Sequence, residues 1–351
     1  MKHAIGIIGY GGMAGYHYDS LAGYDRAYVK GVFDTNAARL EKAKEQGLTA
    51  YQSKAELLSD PEIDLVLIAT TNDAHAELSK EALRAGKNVI CEKPATLNAA
   101  QLSEVIETAK KCKRVFTVDQ NRRTNRDYLL MRKKLGEGHI GKPYIIESRV
   151  EGSRGMTAWR TVKRLGGGIM LDWGVHLIDQ ILFMTKEKVT SIYCKTYKVR
   201  YSEVEDNFKL ILTFESGLTA YIEVATNNYI MHPRWYICGE RGTLQIDDWS
   251  CGGRIVRCAE GGDSCTEEII YTQAGPTKTM LPRRPEETET LEFSADDSIV
   301  DNFTAVYDQF IDAVEGKAEL TIAPEQTMRV MKVIDAAFES AEKDSVIHLV
   351  I

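Results

Sequence analysis

The sequence predicts two domains: an α/β domain with a doubly wound parallel sheet, then an α+β domain with a large, mostly antiparallel open sheet. Three observations carry this. Short β-branched runs alternate with helical segments up to about residue 120, strand-like runs then follow one another without helices, and a glycine-rich turn stands directly behind the first run.

The runs AIGIIG, YVKGVFD, DLVLIAT, NVICEK and RVFTVD read as strands of a parallel sheet. NAARLEKAKEQG, NDAHAELSKEALRAG and NAAQLSEVIETAKKC between them space their apolar residues as helices do. The first domain is expected over residues 1–122 and the second over 123–351. The second opens with a helix and one strand near 144–152. GGGIMLDWGVHLIDQ (166–180) is next, helical by its Leu171/Val175/Ile178/Leu182 spacing, which stacks Asp172 and His176 one turn apart. SIYCKTYKV, NFKLILTF, LTAYIEVAT and RWYICG then succeed one another as strands. Residues 273–300, rich in proline and charge, read as a long loop. Helices near 300–315 and 324–342 and the apolar run SVIHLVI close the chain.

The 351 residues, 44% hydrophobic and 27% charged, suit an ordinary globular chain. No run approaches the roughly 18 apolar residues of a membrane span, and MKHAIGIIGYGG lacks the apolar core of a signal peptide, so a cytoplasmic protein without membrane contact is expected. A net charge of −7 argues against nucleic acid as partner. Seven scattered cysteines fit free thiols, and the even spacing of Cys251, Cys258 and Cys265, without a nearby histidine, is unlike a zinc site. No metal is expected.

GYGGMA presents Gly9, Gly11 and Ala14 in a strand-turn-helix context, where glycine permits the tight turn and lets backbone approach a pyrophosphate. Asp34 ends the second strand 20 residues beyond Ala14, where an acid binds the adenosine ribose hydroxyls. Its charge would repel the extra phosphate of NADP, so NAD is expected over NADP. Arg39, about one turn further, either leans toward such a phosphate or is a surface helix charge. Thr70, Thr71 and Asn72 end a strand at the ligand edge of the sheet, and His75 begins the next helix as a cap, a packing residue or a cofactor contact. Glu92, Lys93 and Pro94 close another strand at that edge, where a lysine can stabilise a developing alkoxide.

GYGGMAGYH, ATTNDAH, CEKP, QNRR and GGGIMLDWGVHLID, in this order, resemble the Gfo/Idh/MocA family of oxidoreductases along essentially the whole chain. Thr71 stands where the family commonly has proline, and Ala14 replaces the third glycine. The resemblance implies a Rossmann domain holding NAD(H) and a second domain whose open sheet forms homodimers or homotetramers. It places the catalytic set on Lys93, Asp172 and His176, with His176 the general base for a secondary alcohol of a sugar, glycoside or polyol, and a substrate-side arginine on Arg123. Trp159 and Arg160, in the segment before the glycines, join Arg123 as expected substrate contacts, the alternative being a surface loop. The expected cofactor set is Gly9, Gly11, Gly12, Met13, Ala14, Asp34, Arg39, Thr70, Thr71, Asn72, His75, Glu92, Lys93 and Gln120. Two other readings are an NAD-dependent glycosidase working by transient oxidation and elimination, and a nicotinamide-binding sensor without catalysis. Asp179 stays open between a third polar support and a surface acid.

Overall fold

The computed structural model describes residues 2–260, 269–277 and 284–351. Strands β1 (His3–Ile8), β2 (Ala27–Phe33), β3 (Thr49–Ala50), β4 (Ile63–Ile68), β5 (Asn88–Cys91) and β6 (Phe116–Val118) form a parallel sheet in the order β3-β2-β1-β4-β5-β6. Helices α1 (Gly12–Ser20), α2 (Ala37–Glu45), α3 (Lys54–Ser59), α4 (His75–Arg84) and α5 (Ala99–Cys112) make the crossovers. The order reverses direction at β1 and β4, so their carboxyl ends diverge and leave the crevice in which such sheets hold ligands. β1 and β4 are buried almost throughout, as strands covered on both faces must be.

Helix α6 (Arg126–Gly136) leads into a nine-stranded sheet of β7 (Pro143–Glu151), β8 (Val189–Tyr197), β9 (Asn207–Phe214), β10 (Thr219–Ala225), β11 (Trp235–Gly239), β12 (Gly242–Ile246) and β13 (Gly253–Cys258), with two later strands. All its pairs are antiparallel except β7 with β10, which match Ile145 to Thr219 through Glu151 to Ala225. Period-two patterning aims the sheet: Phe208, Leu210, Leu212 and Phe214 of β9 are buried, while Lys209, Ile211 and Thr213 face outward. Helix α7 (Val175–Thr185), apolar nearly all round, lies buried between the sheet and the long helix α9 (Pro324–Lys343).

The expected loop at 273–300 contains regular structure among its described residues. A small hairpin of β14 (Ile270–Thr272) and β15 (Gly275–Thr277) precedes β16 (Thr288–Phe293), which pairs with β13 and carries the sheet to one edge. TETLEF has the alternation of a strand, obscured in the sequence by its charge, which suits an exposed edge. Residues 278–283 and Cys265 lie outside the described residues. At the other edge β17 (Ile347–His348) pairs with β8.

Helix α8 (Ala305–Val314) does not join the second core. Its Val306, Tyr307, Phe310 and Ile311 pack in one apolar cluster with Ile5, Ile7, Val32 and Leu67 of the parallel sheet, so the chain returns to the first domain. Among the described residues no helix is long and apolar enough to cross a membrane.

Candidate active site

The crevice floor starts at Gly9, held at φ +91°, where a Cβ would come within 2.6 Å of the Ala69 carbonyl oxygen. Only glycine tolerates both the backbone and the approach. Helix α1 follows with Gly11 as its N-cap, and no side chain satisfies its first amides. Those N–H groups at a helix N-terminus form a site for a diphosphate. Ala14 is fully buried and brings α1 close to the sheet, while Met13 faces a cleft of about 270 Å³ that Arg122 also lines.

At the end of β2, Asp34 is buried. One carboxylate oxygen accepts from the Asn36 amide at 2.7 Å, and the other from the Tyr10 amide at 2.7 Å and Arg39 Nη1 at 3.0 Å. Three bonds leave acceptor capacity on the carboxylate for a ribose diol. Arg39 lies beside the glycine turn, 3.9 Å from where a Gly11 Cβ would be. Gln120, buried after β6, has no partner for either amide atom. A buried amide left unpaired points to a polar ligand group, and a carboxamide is the complementary shape. These residues fit a nicotinamide dinucleotide.

The reacting end gathers residues from both domains. Lys93, the residue after Glu92 at the end of β5, sends its ammonium to Asp172, donating to Oδ1 at 3.1 Å and to the Asp172 carbonyl at 2.8 Å. Arg160 Nε donates to the other carboxylate oxygen at 2.8 Å. Burial opposes the charge on Asp172, but Lys93 and Arg160 outweigh it and hold the carboxyl below its usual range.

Asp172 sits in a π-turn, Met170–Gly174, in which the Val175 amide reaches back five residues to the Met170 carbonyl. The expected continuous α-helix is therefore widened just before α7. The turn starts beyond Gly168, held at φ +110° with the Glu205 carboxylate packed where its Cβ would be, and Glu205 accepts the Met170 amide at 3.1 Å. Among the described residues the His176 ring has no hydrogen bond to Asp172 or to any other group; it is buried, and Nδ1 is unpaired. Burial first, then the charges of Lys93, Arg122 and Arg234, hold its pKa well below the ordinary value, so it is a neutral imidazole at pH 7.

Four aromatic and cationic groups extend the wall. The Trp173 ring stands edge-on to His176 at 6.0 Å between centroids and is 6.1 Å from Trp249. Arg122 lies 4.1 Å above the Trp173 ring, and among the described residues its guanidinium donates only to Asn125 Oδ1. No carboxylate pairs with it among the described residues, although burial lowers its pKa. Arg234 is locked by Ser148, Gln180 and Asp127.

Several expected site residues are engaged elsewhere. Arg123 forms a buried bidentate pair with Asp179, at 2.7 and 2.6 Å, and also donates to Gln326 and the Thr321 carbonyl. This settles Asp179 as a buried support rather than a surface acid. Asn72 donates to the Gly166 carbonyl at 2.8 Å, tying the nucleotide domain to the loop before Asp172. His75 bridges the carbonyls of Pro94 and Thr70 from beneath. Glu92 accepts from the Lys93 amide and is bonded to His17, away from the crevice. Thr70 and Thr71 stand at the crevice edge, and Trp159 lies under the Arg160 guanidinium. The sequence reading missed Arg122, Trp173, Trp249 and Arg234. The doubled arginine of QNRR was the available signal, but spacing does not say which of two adjacent arginines finds a carboxylate.

Among the described residues, the one metal-like grouping is His17, Glu92 and Asp119. Hydrogen bonding occupies it: His17 binds Tyr307 OH at 2.6 Å and Glu92 at 2.9 Å, with Asp119 3.6 Å away.

Comparison with known proteins agrees with this geometry. Residues 3–120 match the model of the oxidoreductase family with an NAD-binding Rossmann fold, and residues 128–245 match the GFO/IDH/MocA C-terminal domain. The chain belongs to the GFO/IDH/MocA oxidoreductases, as the sequence motifs implied. A crystal structure of an NAD-binding protein from Listeria innocua is 40% identical, with a TM-score of 0.93 over 99% of both chains. The myo-inositol 2-dehydrogenase of Thermotoga maritima is 29% identical over 70% of this chain and 75% of its own. The 1,5-anhydro-D-fructose reductase of Ensifer adhaerens is 29% identical over 62% and 67%.

Proposed function

We propose that this oxidoreductase is an NAD-dependent dehydrogenase acting on a secondary alcohol of a sugar or polyol. The observation that carries the reading is His176, a buried neutral imidazole with no hydrogen-bond partner, next to a Lys93–Asp172–Arg160 ion cluster. A buried base without a partner is costly unless a substrate proton completes it. NAD⁺, when bound by the Gly9–Ala14 turn, Asp34 and Gln120, supplies the hydride acceptor.

The chain's own groups divide the remaining work. His176 accepts the hydroxyl proton as the C–H bond breaks, and the ammonium of Lys93 stabilises negative charge on the oxygen. Asp172 and Arg160 fix that ammonium in place, and the apolar α7 excludes water. Relatives named as an inositol dehydrogenase and an anhydrofructose reductase support a polyhydroxylated substrate. Asp34 favours NAD over NADP by charge, against the one neighbouring cation, Arg39. The outward face of the large sheet, with Tyr144 and Tyr221 exposed, is the proposed surface for a homodimer or homotetramer.

The test is a spectrophotometric screen of sugars, polyols and glycosides with NAD and NADP, with the product identified by NMR. NADH formation that disappears in His176→Ala and Lys93→Ala is expected. Turnover unaffected by both substitutions would sink the mechanism, and a preference for NADP would overturn the role given to Asp34. NAD binding with no oxidation of any member would instead mark a sensor.

A further inference from the structure

One cleft of the second domain does not contain Lys93. It is a space of about 570 Å³ in the second domain, lined by Arg149, Glu151, Met231, His232, Arg234 and Trp249 among others. Two residues connect it to the reacting end. Trp249 forms its wall and is 6.1 Å from Trp173, which is itself 6.0 Å from His176. Arg234 also lines it, packs 5.0 Å from the Trp249 ring, and donates to Gln180, one turn beyond His176 on α7. The cleft is therefore joined to the surroundings of His176 through packed side chains, Trp249 on Trp173 and Arg234 on Gln180.

Its lining has a definite chemistry. Trp249 is 49% exposed and Met231 65%, giving an apolar strip at the mouth, whereas Glu151, His232, Asp247 and Asp248 supply polar groups around it. His232 is anchored by two bonds to Glu151, its amide donating at 2.7 Å and its ring lying at 3.1 Å. An accessible aromatic face with converging acids and a histidine suits a ring with apolar C–H faces and a hydroxylated rim. The cation Arg234 beneath Trp249 donates to Ser148 and Gln180 and is ion-paired with Asp127, so it stiffens the wall and its charge is already countered.

We propose that this cleft is an outer subsite that takes a second ring, sugar or aryl aglycone, attached to the ring whose alcohol faces His176. The preferred substrate class is then a glycoside rather than a free sugar or cyclic polyol. The inference rests on the hydride-transfer reading only for the placement of the first ring.

The test uses the full-length protein with NAD bound. Saturation-transfer NMR and titration compare glucose, galactose and myo-inositol with phenyl β-glucoside, phenyl β-galactoside, cellobiose and lactose. At least one glycoside is expected to bind about tenfold more tightly than its free sugar, a difference of roughly 1.4 kcal/mol, with saturation on both rings. Trp249→Ala and Met231→Ser, the latter at an exposed position with little part in folding, are each expected to erase most of that ratio. Equal affinity for free sugars and glycosides, an advantage that survives both substitutions, or no binding by any glycoside would overturn the subsite. Binding through Trp249 without oxidation of any glycoside would leave the subsite and remove the dehydrogenase reading. Oxidation of free sugars with no glycoside preference would do the reverse.

Discussion

Two buried histidines flank the nucleotide crevice and behave in opposite ways. His17, on α1, has Tyr307 on one nitrogen and Glu92 on the other, with Asp119 behind. Burial opposes its charge, but the bond to Glu92 and the two carboxylates raise its pKa. His176 has three cations around it and no partner, and its pKa falls. A neighbouring pair of arginines repeats the contrast: Arg123 has Asp179, and among the described residues Arg122 pairs with no carboxylate. The satisfied members fasten α8 and α7 to the crevice. The unsatisfied members face the space where a ligand would complete them. Burial alone does not distinguish these groups; the presence or absence of a partner does.

The largest expected effect tests the reactive histidine. His176→Ala should lower kcat/KM by about 10²–10⁴ while NADH affinity and the melting temperature stay near those of the parent. Steady-state kinetics with a titration of NADH checks this, and a drop of only a few-fold would place the base elsewhere. Next comes the arginine pair. Arg123→Gln leaves Asp179 buried and unpaired, and should cost about 3–5 kcal/mol in denaturant unfolding. Arg122→Gln removes a desolvated cation without a counter-ion and should leave stability unchanged or raised, at the expense of activity. Equal destabilisation by the two would break the contrast.

The nucleotide domain was the more legible half. Alternating strands and helices, Gly9 and Asp34 are local signals, and each follows from backbone geometry or charge that a few neighbouring residues specify. The reacting end was legible in composition but less so in arrangement. Asp172 and His176 are where the motif placed them, yet the π-turn depends on Glu205, which packs in from a distant segment. Asn72, His75 and Glu92 were expected to meet the cofactor. Their partners, Gly166, Pro94 and His17, lie 94, 19 and 75 residues away, and no local spacing shows that these polar groups are already satisfied. For the same reason α8 could not be assigned to the first core: its apolar stripe reveals a buried face without saying against which sheet.

A smaller effect separates the two histidine clusters by pH. Asp119 is pushed up to about 7, by burial first and then by the charge of Glu92, and His17 is raised as well. Both groups hold protons in the folded chain that they would release when unfolded. Their contribution is complete below the unfolded pKa values and is lost as pH rises through the folded ones, toward and above neutrality. Glu92, held below its ordinary value, acts in the opposite sense only at acid pH. Asp119→Asn should therefore flatten the fall in unfolding free energy between about pH 4 and 7, measured in urea, and an unchanged slope would remove Asp119 from the account.

The smallest effect is on the pH profile of the reaction. Because the folded pKa of His176 lies below 6.5, the base is neutral through pH 6.5, and the acid limb of kcat/KM should fall below that of an ordinary histidine. Stability follows the same sign: below 6.5 the unfolded chain binds a proton that buried His176 resists, so this term is present above the unfolded pKa and lost toward acid. Arg122 is one of the charges that depress His176, so Arg122→Gln should move the limb upward. The shift should appear in kcat/KM against pH even though the same substitution lowers the rate, because a slower enzyme with unchanged ionisation keeps its limb in place. A limb that stays put in Arg122→Gln would mean that the titrating base is not beside Arg122, and would separate His176 from the proton transfer.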